Sequence, residues 1–455
     1  MWYDTNKITI IGGIQMIISK EDFLLQQSVS MEELKKKVLP YRQQEKVRNE
    51  WLKERFETVL PKVMERSGID MWIVACKEYN EDPVLTTLVP CAMMTARRTT
   101  ILVFHYKDGK VRRMALTRPG VGLDDYYESV WKNQKGSIWQ EEGSEPETQF
   151  ECLARIIREC DPETIGLNFS DEYSFGDGLS FTLYRDIMEA MDDEYVERVV
   201  SAEDVCIGWL ETRTEKEMVA YNGIMEYAHA MINEAFSSRV VHPGITTNHD
   251  VKYYMLQSVI DMGMTPWFDF EVSIIREDKT TEEETVIMPG DILHCDVGLK
   301  YLNLCTDTQE NAYVLKQGET DAPQYLKDAL AQVNRFQDIV ISYFKEGISG
   351  NEILKLAREQ AITEELQPCL YTHPIGYHGH AAGPTIGLWD MQQGVPIQGD
   401  YPMYNDTMYS LELNCTCDIK EWDRSIMLGL ETEVLFTGNK VYYVGGRQEN
   451  FHLIK

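Results

Sequence analysis

Between Tyr409 and Asp418 apolar and polar residues alternate, with Tyr409, Leu411, Leu413, Cys415 and Cys417 on one side and Ser410, Glu412, Asn414, Thr416 and Asp418 on the other. A period of two predicts a strand with one apolar face. The same pattern runs from Leu428 to Phe436: Leu428, Leu430, Val434 and Phe436 alternate with Gly429, Glu431 and Glu433, and Thr432 falls on the apolar side. Far upstream the period lengthens. Trp51, Phe56, Val59, Leu60, Val63 and Met64 form the stripe of an amphipathic helix over 42–67, kinked by Pro61. Strands are predicted at 71–76, 99–105, 111–117 and 164–168, and helices at 147–160 and 178–191, with long loops at 77–98 and 118–146. That alternation makes an α/β domain. Thr214-Glu-Lys-Glu217 is a capping box opening a helix whose Met218, Tyr221, Met225, Ile232 and Phe236 face inward. A second helix starts at Thr247 or Asn248 and ends near Gly263; strands follow to about Leu315, then helices over 323–345 and from Asn351. The remainder reads as strand and loop, so this half is α+β.

A chain of 455 residues is long for one core and implies two domains. The composition shifts near Ala202–Leu210, giving an extension over 1–40, a first domain over 41–205 and a second over 206–455. The net charge of −30 argues against nucleic acid or an anionic membrane as partner and reads as an acidic, soluble surface. The ten cysteines are scattered with no Cys-x-x-Cys pair, as expected of reduced core thiols. No apolar run has transmembrane length. The apolar segment from Ile8 to Ile18 is broken by Thr9, Gly12, Gly13 and Gln15 and lacks a cleavage signal, so the cytoplasm is the expected location. Met16 stands as an alternative start.

Asp296 lies in His294-Cys-Asp-Val-Gly298, Asp307 in Cys305-Thr-Asp-Thr308, and Glu412 and Glu431 in the two alternating segments. For any one strand the plain reading is an acid in water. Acidic faces converging in the interior could not all stay ionised without cations, because unpaired buried charge is very costly. His373, His378 and His380 lie close together in a glycine-interrupted stretch where neither period chooses among them. Oxygen-rich ligation with one imidazole suits manganese, cobalt, iron or zinc better than a thiolate-type site.

Asp-x-Gly, a second Asp after ten intervening residues, Gly379-His-Ala-Ala-Gly383, a strand Glu, and Glu431-Thr-Glu-Val-Leu-Phe-Thr437 together resemble the creatinase/aminopeptidase P/methionine aminopeptidase superfamily, the pita-bread metallopeptidases. Arg213-Thr-Glu-Lys-Glu-Met218 and His242-Pro-Gly-Ile-Thr-Thr247 agree with it, and the likeness covers roughly Trp209 to Lys455. The run from Tyr41 to Cys76 resembles the start of a creatinase-type N-terminal domain. The resemblance implies an α/β creatinase-type domain followed by an α+β pita-bread domain. It implies two divalent metal ions, manganese first, held by Asp296, Asp307, His380, Glu412 and Glu431. Asp307 and Glu431 would bridge, and Glu412 would also pass a proton. The implied reaction is amide hydrolysis by a metal-bound hydroxide, on Xaa-Pro bonds of small peptides, in a homodimer. The alternatives are a metal-free creatinase-like hydrolase and a non-catalytic binding module, both of which lose the ligands that are filled here. Three features depart from the family: Leu413-Asn414 follow Glu412 where Pro-Gly is usual, about three residues are inserted near Gly383-Pro-Thr385, and the usual histidine downstream of the metal histidine is missing, with Trp389-Asp390 near its place. His378 or His373 would then stabilise the tetrahedral intermediate, and His378 is taken as the catalytic one.

Overall fold

The computed structural model describes residues 9–11, 14–16, 30–118, 120–135, 145–278 and 281–455. Its first elements are the hairpin of β1 (Thr9–Ile11) and β2 (Ile14–Met16) and helix α1 (Met31–Lys35). The chain then divides into two compact units, Pro40–Thr214 and Glu215–Lys455, the latter joined by the described residues up to Leu39. No helix among the described residues is long and apolar enough to cross a membrane.

In the first unit the expected long helix is two, α2 (Tyr41–Thr58) and α3 (Leu60–Ser67). Pro61 has no N–H to continue the ladder and its ring crowds the preceding turn, so the helix breaks at Val59. A mixed sheet follows, from β3 (Met71–Lys77), β4 (Thr99–Lys107), β5 (Lys110–Leu116), β6 (Glu128–Ser129), β7 (Ile165–Leu167) and β8 (Val199–Ser201), in the order β6-β5-β4-β3-β7-β8. The helices are α4 (Leu85–Leu88), inside the expected loop 77–98, α5 (Gln149–Cys160), α6 (Phe181–Ala190), α7 (Asp193–Val196) and α8 (Glu203–Glu211). Cys152, Leu153, Ile156 and Ile157 of α5 and Leu183 and Ile187 of α6 cover the Met71, Ile73 and Val103 face of the sheet.

Asp82 is buried in this unit, its carboxylate accepting from the Val84 N–H at 3.0 Å and from Asn168 Nδ2 at 2.8 Å. Burial nevertheless pushes its carboxyl up to about 6. The folded value exceeds the ordinary one, so the folded state holds the proton more tightly, and the stability this confers is full below pH 4 and lost as pH rises through about 6. The unfolding free energy of the wild type minus that of Asp82→Asn is expected to fall by roughly 3 kcal/mol over that window. Urea unfolding of both proteins from pH 4 to 8 checks this, and a flat difference refutes it.

The second unit opens with α9 (Glu215–Ala235) and α10 (Asn248–Asp261), the latter closed at its start by a Thr247–Asp250 capping box. Next come β9 (Thr265–Pro266), β10 (Glu271–Ile275), β11 (Ile292–Val297), β12 (Leu299–Tyr301), β13 (Leu304–Cys305) and β14 (Thr308–Val314). Helices α11 (Gln324–Ser342) and α12 (Gly350–Thr363) pack on the far side of the later strands. Those are β15 (Pro368–Leu370), β16 (His373–Pro374), β17 (Thr407–Ser410), β18 (Leu413–Ile419), β19 (Arg424–Leu430), β20 (Glu433–Thr437), β21 (Lys440–Tyr443) and β22 (His452–Ile454).

Each of the two long alternating segments is therefore a pair of strands rather than one. The first breaks at Leu411-Glu412 and the second at Glu431-Thr432. At these breaks the chain changes sheets, since β17 pairs with β20 whereas β18 pairs with β19. The Leu411 N–H donates to the Thr432 carbonyl at 2.9 Å and carries the ladder across the gap. Both glutamates thus sit where one sheet hands over to another, and the Glu431 backbone also pairs with Gln309 of β14.

Candidate metal centre

Strands β11 and β14 are antiparallel, with Asp296 opposite Gln309 and His294 opposite Asn311. Directly opposed residues share a face, so these four side chains and Asp307, just ahead of β14, project together. Gly298 lets Trp267 lie across this hairpin: a Cβ there would come within 2.1 Å of the indole nitrogen. Trp267 Nε1–H donates to the Thr306 carbonyl at 2.7 Å, beside Asp307. A Cβ on Gly379 would strike the same indole at 2.2 Å, so glycines from two separate motifs make the slot in which one tryptophan lies.

Against this face the sheet breaks bring Glu412 and Glu431. Ligand-type atoms of Asp296, Asp307 and Glu431 lie within 4.8 Å of one another, as do those of His373, Glu412 and Glu431 and those of Asp307, His373 and His380. The four acids predicted from sequence thus converge. The histidine at their centre is His373, whose Nε2 is 3.6 Å from Asp307 Oδ2, 3.6 Å from Glu431 Oε1 and 3.8 Å from Glu412 Oε2. Its Nδ1 is 3.0 Å from the Pro374 carbonyl, which can only accept, so Nδ1 carries a hydrogen and Nε2 offers its lone pair to the cluster. His380 is exposed, and its ring lies 4.7 Å from that of His373. His378 is half-buried and belongs to none of these groups. His380, expected to bind metal, groups with Asp307 and His373, whereas the histidine that faces three of the acids is His373; His378, expected to act beside the metal, lies outside these groups.

A signal for His373 was present in the sequence. It precedes Pro374, which restricts it to extended backbone, and proline is tolerated at a sheet edge. Strand β16 is the edge of its sheet and sets His373 opposite Ser410, two residues before Glu412. A second set of groups orients the acids. Gln309 Nε2 donates to Glu412 Oε1 at 2.7 Å, Ser410 Oγ donates to Glu431 Oε1 at 2.6 Å, and Glu433 Oε1 accepts from the Asp307 N–H at 2.6 Å. Glu433 is therefore buried beneath the cluster rather than on the surface.

Burial, reinforced by Glu431 and other acidic neighbours, pushes Asp296 up to about 8 and raises Asp307 and Glu412 well above the usual carboxylate range. Burial opposes protonation of His373, but Glu431 and Glu412 outweigh it and raise that imidazole. Such a cluster binds protons or cations avidly. Asp296 Oδ1, Asp307 Oδ1, His373 Nε2 and Glu433 Oε2 are buried without a hydrogen-bond partner among the described residues. Oxygen donors with one imidazole lone pair suit divalent transition metals, and two such ions would offset four carboxylates. The donor set fits a two-metal site.

Residues 223–437 match the model of metallopeptidase family M24. No curated protein matches the chain by sequence. Among solved structures it is similar to an X-Pro aminopeptidase from Thermotoga maritima, with TM-score 0.58 and 16% identity over 86% of this chain and 99% of that one. An Xaa-Pro dipeptidase from Bacillus anthracis gives TM-score 0.56 and 18% identity over 88% and 99%. A prolidase from Pyrococcus furiosus gives 0.51 and 14% over 86% and 98%. The expected architecture, an N-terminal α/β domain ahead of a pita-bread domain, is the one found.

Proposed function

We propose, from the match of residues 223–437 to metallopeptidase family M24, that this chain hydrolyses Xaa-Pro bonds at the N-terminus of short peptides or in dipeptides. The observation that carries this reading is the His373 imidazole facing Asp307, Glu412 and Glu431 with its lone pair. Asp296, Asp307 and Glu431 would hold one divalent ion, and His373 and Glu412 the other, with Asp307 and Glu431 shared. Bound there, the two ions would lower the pKa of a water and polarise the amide carbonyl.

The chain's own groups supply the rest. Glu412, held by Gln309 on one oxygen, keeps Oε2 toward the cluster and is placed to take the water proton and pass it to the leaving nitrogen. Ser410 and the Asp307 N–H fix Glu431 and Glu433, so the acids do not need to reorganise when charge develops. With His373 as the metal histidine, His380 lies a few residues downstream, where the resembled family carries its further histidine. His380 is thus the residue placed to hydrogen-bond the tetrahedral intermediate, in place of His378. A proline amide has no N–H and a fixed φ, which favours enzymes dedicated to it. The Xaa-Pro peptidases among the similar structures support the same choice.

Chelator-treated protein is expected to be inactive and to recover on addition of manganese or cobalt, with two equivalents bound per chain. Elemental analysis together with release of proline from Xaa-Pro dipeptides and longer peptides tests this. Full turnover by metal-free protein, or no hydrolysis of any Xaa-Pro peptide by the reconstituted protein, overturns the reading. A homodimer and a cytoplasmic location complete the proposal, and sedimentation of the purified protein tests the first.

A further inference from the structure

Trp389 is 46% exposed. The segment carrying it is clamped at several points. Thr372 and Ile386 exchange backbone hydrogen bonds of 3.1 and 2.9 Å, one residue before His373. The Gln392 side chain accepts from the Leu370 N–H at 3.0 Å and donates to the Leu370 and Leu388 carbonyls, each at 2.7 Å. Arg358 in turn donates to the Gln392 carbonyl at 2.7 Å. Gly387, with φ of 77°, makes the sharp turn between these anchors, and a Cβ there would sit 2.2 Å from the Leu370 carbonyl.

The clamp holds the indole beside Tyr371, whose ring touches two histidines of the site. Trp389 meets Tyr371 edge-on at 5.6 Å, and Tyr371 touches both His373, at 5.3 Å, and His380, at 5.9 Å. Trp267 adds a further ring 5.3 Å from His380. The rings make one aromatic wall from the buried ligand to the surface, and Trp389 is its exposed end. A rigid aromatic side chain beside a reactive centre binds apolar groups with little loss of conformational entropy.

We propose that Trp389 is a specificity-determining residue that packs against the side chain of the residue preceding proline, selecting bulky apolar side chains there. This rests on the Xaa-Pro reading given above. An apolar side chain on such a platform contributes through buried area and, where aromatic, through stacking.

The test compares wild type, Trp389→Ala and Trp389→Phe, all loaded with manganese, on Gly-Pro, Ala-Pro, Leu-Pro and Phe-Pro. For the alanine variant, kcat/KM is expected to fall about tenfold or more on Leu-Pro and Phe-Pro, mainly through KM, and by less than twofold on Gly-Pro. The phenylalanine variant is expected to recover most of the loss. A uniform fall across the series overturns the proposal, because Trp389 would then act on the proline ring or on Tyr371. No change on any dipeptide overturns it equally, as does loss of bound metal in the alanine variant. A wild type inactive on all four peptides and on longer ones overturns the Xaa-Pro reading itself and this inference with it, whereas an active wild type with an unaltered variant overturns the inference alone.

Discussion

Replacing His373 by alanine is expected to remove one equivalent of metal per chain and to lower turnover on Xaa-Pro peptides by at least about a hundredfold, since even the outer partners of metal ligands cost ten- to a hundredfold when removed. His373 Nε2 lies within 3.8 Å of oxygens from three acids while its Nδ1 is engaged by the Pro374 carbonyl, so the imidazole has one lone pair to offer and one place to offer it. His380→Ala is expected to keep both metal equivalents and lose turnover, because its exposed ring groups with Asp307 and His373, whereas His373 Nε2 faces oxygens of three acids. His378→Ala is expected to keep both metal and rate. Elemental analysis of the three variants, with kcat for each, decides among them. Loss of metal from the His380 variant with retention in the His373 variant would return the central role to His380.

The second large effect lies on the opposite face of β14. Glu310 is buried, flanked in sequence by Gln309 and Asn311 of the site face, and points away from them toward α9 and β22. One of its oxygens accepts from His229 Nδ1 at 2.7 Å and the other from His452 Nε2. Burial alone would raise this carboxyl, but the two histidines overcome it and hold it down at about 2. The folded value lies below the ordinary one, so this stabilisation is present above pH 4.5 and is lost as pH falls through about 2. Glu310→Ala takes the acceptor from both rings and unlinks a central strand from a helix and from the last strand of the sheet. The expected cost is about 3–5 kcal/mol at pH 7, the usual range for breaking a buried pair from one side. Glu310→Gln, which keeps one acceptor, is expected to lose less. Chemical unfolding of both variants measures this, and an alanine variant within about 1 kcal/mol of wild type would show that the pairing adds little.

Much of this architecture could be read in the chain itself. The period-two segments located the strands that flank Glu412 and Glu431, Thr247 lies at the helix start expected there, and Pro61 marks a break. Asp296 and Asp307 were legible because a hairpin joins them, and local pairing is a short-range property. Glu433 was half legible: alternation placed it with Glu431, but only the burial of β20 made it an acceptor for the Asp307 N–H.

What the sequence determined by itself is the donor chemistry: four carboxylates, a group of histidines and the spacing that ties them to one family. Pro374 marked His373 as extended, but tertiary structure decided that this histidine serves, because it reaches the acids through pairing with Ser410, more than thirty residues away, and no local period encodes that partner. It also decided that the two alternating segments break. Alternation records which side of a strand is apolar, not which neighbour the strand pairs with, so a change of sheet at Glu412 and Glu431 leaves the pattern intact while turning both acids into one interior site.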